Sequence, residues 1–122
     1  MALRDLLGRT SRQRSGDAAE DQALVYLQRQ GLTLVERNFR CKGGEIDLIL
    51  REGATVVFVE VRARASAAYG GAAASITPAK QRRLLLAAQV WLQGQPGLPP
   101  CRFDVIALEG GQMQWLRNAI TA

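Results

Sequence analysis

Two strand-length runs, EIDLIL at 45–50 and TVVFVEVR at 55–62, are separated only by REGA, and they constrain the fold more than any other part of the chain. Both are rich in apolar and β-branched residues, and Glu52-Gly53 between them suits a hairpin tip, so the runs should pair antiparallel. Alternation then places Glu45, Asp47 and Ile49 on one face of the first strand, and Val56, Phe58, Glu60 and Arg62 on one face of the second. Closing the hairpin with Leu50 opposite Thr55 sets Asp47 across from Phe58 and Glu45 across from Glu60. Asp47 and Glu60 become diagonal neighbours, about 7–8 Å apart. The opposite face, Ile46, Leu48, Leu50, Val57, Val59 and Val61, is wholly apolar.

The remaining elements follow from local signals. Asp17-Ala-Ala-Glu20 has capping-box spacing ahead of apolar Ala19, Ala23, Leu24 and Leu27, which predicts a helix from Asp17 that stops at Gly31. A strand is expected over Thr33–Arg40, with Cys41-Lys-Gly-Gly44 as a turn, so three strands form a meander. The small-residue stretch 63–76 reads as a long connection. Thr77-Pro78 opens a second helix, whose stripe Leu84, Leu85, Ala88, Trp91 and Leu92 runs to Gly94. Strands at Arg102–Leu108 and Gln112–Leu116 complete an α-β-β-β-α-β-β order. The expectation is an α/β fold, a small mixed β-sheet with flanking helices, in which the third and fourth strands are parallel across a right-handed crossover.

With 122 residues there is room for one core. Histidine is absent, which excludes His-based triads and imidazole metal sites, so any catalysis must run on carboxylates and cations, with or without a metal. Cys41 and Cys101 have no companion ligands and read as reduced thiols of a cytoplasmic protein. No apolar run is long enough for a membrane span. The net charge of +5 favours a polyanionic partner, but Arg4, Arg9, Arg12 and Arg14 put much of it in a basic arm over residues 1–14, ahead of a single domain at 15–122.

Three acids on one end of a small sheet repel one another unless a cation compensates. Two readings fit them: a hard-cation site built on Asp47, Glu60 and Glu45, or an exposed edge in which Glu60 pairs with Arg62 or Arg64. Glu20 is read first as the acid of its capping box, and Asp104 in RFDV as a strand-end or salt-bridge residue rather than a ligand. Lys80, Arg82 and Arg83 crowd the first turns of the second helix, where the dipole disfavours cations, so an anion such as phosphate is expected there, with Gln81, Arg64 and Tyr69 nearby. A solvated basic face is the alternative.

The blocks GDAAEDQALVYLQRQG, RNFRCKGGEIDLI, VVFVEVRAR, YGGAAASITPAKQRRL and CRFDVIAL, in this order over roughly residues 15–117, resemble the bacterial YraN family. The resemblance implies a restriction-endonuclease-like core of the PD-(D/E)xK type. It makes Asp47 the first acid, Glu60 the second, Arg62 the occupant of the lysine position, and Glu20 the helical acid of the resolvase-like branch. Ile46 stands where the motif's name has Pro. Arg62 departs more seriously, because a guanidinium can stabilise phosphorane charge but cannot serve as a base.

Together these features lead to the expectation of a nuclease-like nucleic-acid-binding protein. Asp47 and Glu60 would hold Mg²⁺ or Mn²⁺, Arg62 and Glu20 would join the catalysis, and Arg64, Tyr69, Lys80, Gln81 and Arg83 would contact DNA or structured nucleic acid. The alternatives are a non-catalytic binding module of the same fold and a small interaction protein that forms a homodimer through its Ala- and Gly-rich loop.

Overall fold

The computed structural model describes residues 11–64 and 75–120, with only the backbone of 11–16. Residues 1–10, Tyr69 and most of the 63–76 connection lie outside the described residues. The elements are α1 (Ser11–Arg29), β1 (Thr33–Cys41), β2 (Gly44–Glu52), β3 (Thr55–Arg64), α2 (Pro78–Gln93), β4 (Cys101–Glu109) and β5 (Gln112–Leu116). They form an α/β fold around one mixed sheet in the order β1-β2-β3-β4-β5. All pairs are antiparallel except β3 and β4, which run parallel as the helical crossover requires.

The central strands β2, β3 and β4 are buried on both faces. Val56 and Phe58 of β3 and Phe103 and Val105 of β4 pack with Leu84, Ala87, Ala88 and Trp91 of α2. Val57, Val59 and Ile106 face the other way, onto Ala23, Leu24 and Leu27 of α1. Two-sided burial explains why β3 reads as a nearly unbroken apolar run.

Three expectations need correction. First, α1 begins at Ser11 rather than Asp17, so Glu20 lies within the helix and the capping box does not account for it. The boundary expected between residues 14 and 15 also falls inside this helix. Second, the β2–β3 register is displaced by two residues: Glu52 pairs with Thr55 and Leu50 with Val57. Gly53, at φ +60°, starts a two-residue turn, and such turns match the twist of paired strands better than the wider loop expected. A shift of two preserves which residues share a face, but Phe58 now pairs with Ile49 and Asp47 lies beyond the last pair, Leu48 with Val59. Third, Ile46 packs in the α2-side core while Leu48 and Leu50 pack in the α1-side core, so alternation breaks at Asp47.

The Gly43-Gly44 pair is required by helix packing. A Cβ on Gly44 would lie 2.3 Å from the Arg83 carbonyl oxygen and 3.1 Å from Ala87 Cβ. Gly44→Ala should therefore push α2 off the hairpin and cost about 1–3 kcal/mol in urea unfolding. An unchanged midpoint would show that this contact does not set the helix position.

Candidate active site

The β2–β3 ladder ends at the Leu48–Val59 pair, although β2 starts at Gly44 and β3 runs on to Arg64. Beyond that point β2 remains paired with β1 and β3 with β4, so the two strands part like a fork. Asp47 occupies the fork and closes it with a side chain in place of the backbone ladder: its Oδ2 accepts the Val61 N–H at 2.8 Å. On β1, the residue opposite Asp47 in this register is Asn38, which adopts φ +53°. Asn tolerates this left-handed conformation better than most residues with a side chain. The local break turns Phe39 toward the α2-side core while Arg37 reaches Glu20 and Asp21 of α1. Sequence reasoning missed Asn38; an Asn within a strand-forming run was the available signal.

The fork opens into a cavity of about 480 Å³ lined by Glu20 of α1, Glu45 and Asp47 of β2, Glu60, Arg62 and Arg64 of β3, and Lys80 of α2. Glu60 and Arg62, two apart on one face, meet at 3.4 Å, as the edge reading expected. Arg62 is further held by Ser75, whose Oγ accepts from Nε at 2.9 Å. Its guanidinium is thus a brace between Glu60 and the segment leading into α2.

Burial and mutual repulsion govern the acids. The Glu60 carboxyl is pushed well above the ordinary range, first by desolvation and then by Asp47, with Arg62 opposing. Asp47 is also raised, by its own desolvation, although the Val61 hydrogen bond counteracts this. Glu20 is raised to about 7 by desolvation and by Asp47, against the opposing pull of Arg37. Its buried Oε1 accepts no hydrogen bond, and the Arg37 guanidinium stands 3.6 Å from it.

The expected metal set is assembled only in part. Among the described residues no three acidic or thiol side chains form a ready-made ligand cluster. Glu45 lines the cavity and its charge helps to raise Asp47 and Glu60, but its side chain is half exposed and pairs with Arg40 at 3.6 Å. Glu20 supplies a more deeply buried third carboxylate. Of the expected nucleic-acid contacts, Arg64 and Lys80 line the cavity. Gln81 instead donates its amide N–H to the Ile76 carbonyl at 3.3 Å, and Arg83 is exposed outside the cavity.

The raised carboxyls make the stability of the metal-free protein depend on pH in a defined sense. Glu20 ionises near 4.5 when unfolded and near 7 when folded, so its contribution is full below about 4.5 and is lost as pH rises through 7. Glu20→Gln should be nearly neutral at about pH 5 and, after allowance for solvent screening, stabilising by on the order of 1 kcal/mol at about pH 8. Urea titrations in chelator across this range check it. A difference independent of pH would mean that Glu20 is not held protonated by the fold.

A family model described as uncharacterised protein family UPF0102 matches residues 19–108, a span that contains Glu20, Asp47, Glu60, Arg62 and Lys80. The chain belongs to this family. A UPF0102 protein of Janthinobacterium sp. (strain Marseille) is 62% identical over 114 residues, 93% of each chain. A UPF0102 protein of Herminiimonas arsenicoxydans is 62% identical over 112 residues, 92% of this chain and 90% of that one. One from Cupriavidus metallidurans is 62% identical over 111 residues, covering 90% and 83%. Similarity to UPF0102 proteins therefore extends over nearly the whole chain, the fork included. No helix among the described residues is long and apolar enough to cross a membrane.

Proposed function

We propose that this UPF0102 protein is a metal-dependent phosphodiester hydrolase acting on nucleic acid. The observation that carries the reading is the fork itself. A sheet that could have continued its ladder instead opens to bring buried Asp47 and Glu60 together, with Glu20 from a helix, beside Arg62, Arg64 and Lys80. Such a concentration of raised carboxyls is costly to folding and is what a cation site requires. The donors are hard oxygens, and Glu20 Oε1 is buried without a hydrogen bond, so the residues fit Mg²⁺ or Mn²⁺. A cation held by Asp47 and Glu60 would supply charge neutralisation at the phosphate and an acidified water.

The chain's own groups divide the remaining work. Glu20, with its carboxyl at about 7, can take a proton near neutral pH. Arg62 orients Glu60, to which it is hydrogen-bonded. Lys80 and Arg64 border the cavity and suit phosphate oxygens. The same commitment of Arg62 to Ser75 and Glu60 favours the second reading, a binding module without turnover, because the group at the lysine position of the motif is occupied in bracing the site.

A cleavage assay over linear, branched and single-stranded DNA and RNA separates the two. Cutting that requires Mg²⁺ or Mn²⁺, stops with chelator and is absent from Asp47→Asn supports the hydrolase. Binding without cutting in any metal leaves the module.

A further inference from the structure

A groove leads out of the cavity along α1. Ala18, Gln22, Val25, Tyr26 and Arg29 recur at intervals of one helical turn and form one wall, about 16 Å long. Leu108, Gly111 and Met113 of the β4–β5 hairpin form the other. The groove has two connected parts, of about 430 and 610 Å³. The nearer part shares Ala19, Ala63 and Arg64 with the carboxylate cavity, and the two parts share Gln22, Leu108 and Gly111.

Its chemistry is specific. Tyr26, Leu108 and Met113 are half buried against the α1-side core, so the apolar floor is held in place before anything binds. Val25 adds an apolar surface that is 45% exposed. Cations stand at both ends, Arg64 where the groove meets the cavity and Arg29 in the last turn of α1. The acid on its wall, Asp21, is neutralised by Arg37 at 2.8 Å. An apolar, partly aromatic floor between positive ends suits a strand whose bases are unstacked and whose backbone is anionic. A duplex, whose bases are stacked inward, cannot lay them on such a floor.

We propose that the groove takes an unpaired nucleic-acid strand and delivers it to the fork, so that the substrate class is DNA or RNA with a single-stranded segment. This rests on the hydrolase reading for its direction, but it can be tested without cleavage. Labelled oligo(dT) and a hairpin duplex of equal charge are titrated in chelator by fluorescence anisotropy against the full chain and two double variants. Gln22 and Val25 are exposed, so Gln22→Glu/Val25→Glu and Gln22→Lys/Val25→Lys should melt close to the parent.

The Glu variant should lose about tenfold in oligo(dT) affinity and the Lys variant should gain several-fold, while duplex affinity stays within about twofold. A gain in one variant and a loss in the other cannot come from misfolding. Duplex affinity shifting in parallel, or oligo(dT) affinity unmoved by both, overturns the groove as a strand path. Duplex binding without oligo(dT) binding overturns the groove alone and leaves the hydrolase reading intact. No binding of either nucleic acid, in chelator and again with Ca²⁺ added, overturns both.

Discussion

Asp47→Asn should make the metal-free protein more stable and at the same time remove its metal response. Asn keeps the shape of the side chain, and its carbonyl oxygen can still accept the Val61 N–H that closes the fork. What it loses is a charge that desolvation disfavours and that raises both Glu20 and Glu60. At about pH 8 in chelator the variant should unfold at higher urea than the parent, the difference shrinking toward acid pH as the parent carboxyl protonates. With Mn²⁺ the order reverses: the parent should gain melting temperature and the variant should not. Metal-dependent cleavage should fall by at least about 10²–10³. A variant that is less stable at pH 8 and still melts higher with Mn²⁺ would make Asp47 a structural residue and end the proposal that it holds a cation. Stabilisation paired with loss of response is hard to obtain from a residue whose role is only packing.

Asp104→Ala should be the most damaging single substitution to folding. Asp104 is fully buried on β4 and satisfies three separate donors. Arg102 Nε lies 3.1 and 3.2 Å from its two oxygens, Trp115 Nε1 donates at 3.0 Å, and the Asn118 N–H at 2.8 Å. Arg102 also donates to Glu52 at 2.7 Å, which ties the β2–β3 hairpin to the same centre. Arg117 completes the clasp, with its guanidinium 3.9 Å over the Trp115 ring and 3.6 Å from Glu52. Removing the carboxylate leaves two N–H groups without their acceptor and Arg102 with Glu52 as its remaining partner, for which about 3–5 kcal/mol is expected out of a total of roughly 5–15. Denaturant unfolding measures this, and Asp104→Asn should lose less because it retains an acceptor for the N–H donors. A loss below about 1 kcal/mol would show that water replaces the carboxylate freely.

Much of this was legible along the chain. The parallel pair followed from a helix standing between two strands, and the meander from turn residues at 41–44 and 53. Asp104 as an ion-pair residue and Glu60 with Arg62 were within reach of spacing because both pairs lie two apart on one strand, where geometry is nearly constant. Glu20 was harder. Its three-residue distance from Asp17 satisfied a local rule, and only the upstream extension of α1 removes that explanation.

The sequence by itself determined the element order, the sheet faces of most residues and the membership of Asp47, Glu60 and Arg62 in one constellation, because strand alternation is a local property that needs no partner. Tertiary structure alone decided where the β2–β3 ladder stops, that Asn38 turns left-handed opposite Asp47, that Glu45 pairs with Arg40 at the cavity's edge and that Glu20 comes in from another layer. These depend on register, and register is set by the competition between turn geometry and the packing of two helices on opposite faces. A shift of two residues leaves every face unchanged and is therefore invisible to any pattern read along the chain, yet it takes Asp47 out of its expected place opposite Phe58 and leaves it at the point where the ladder has ended.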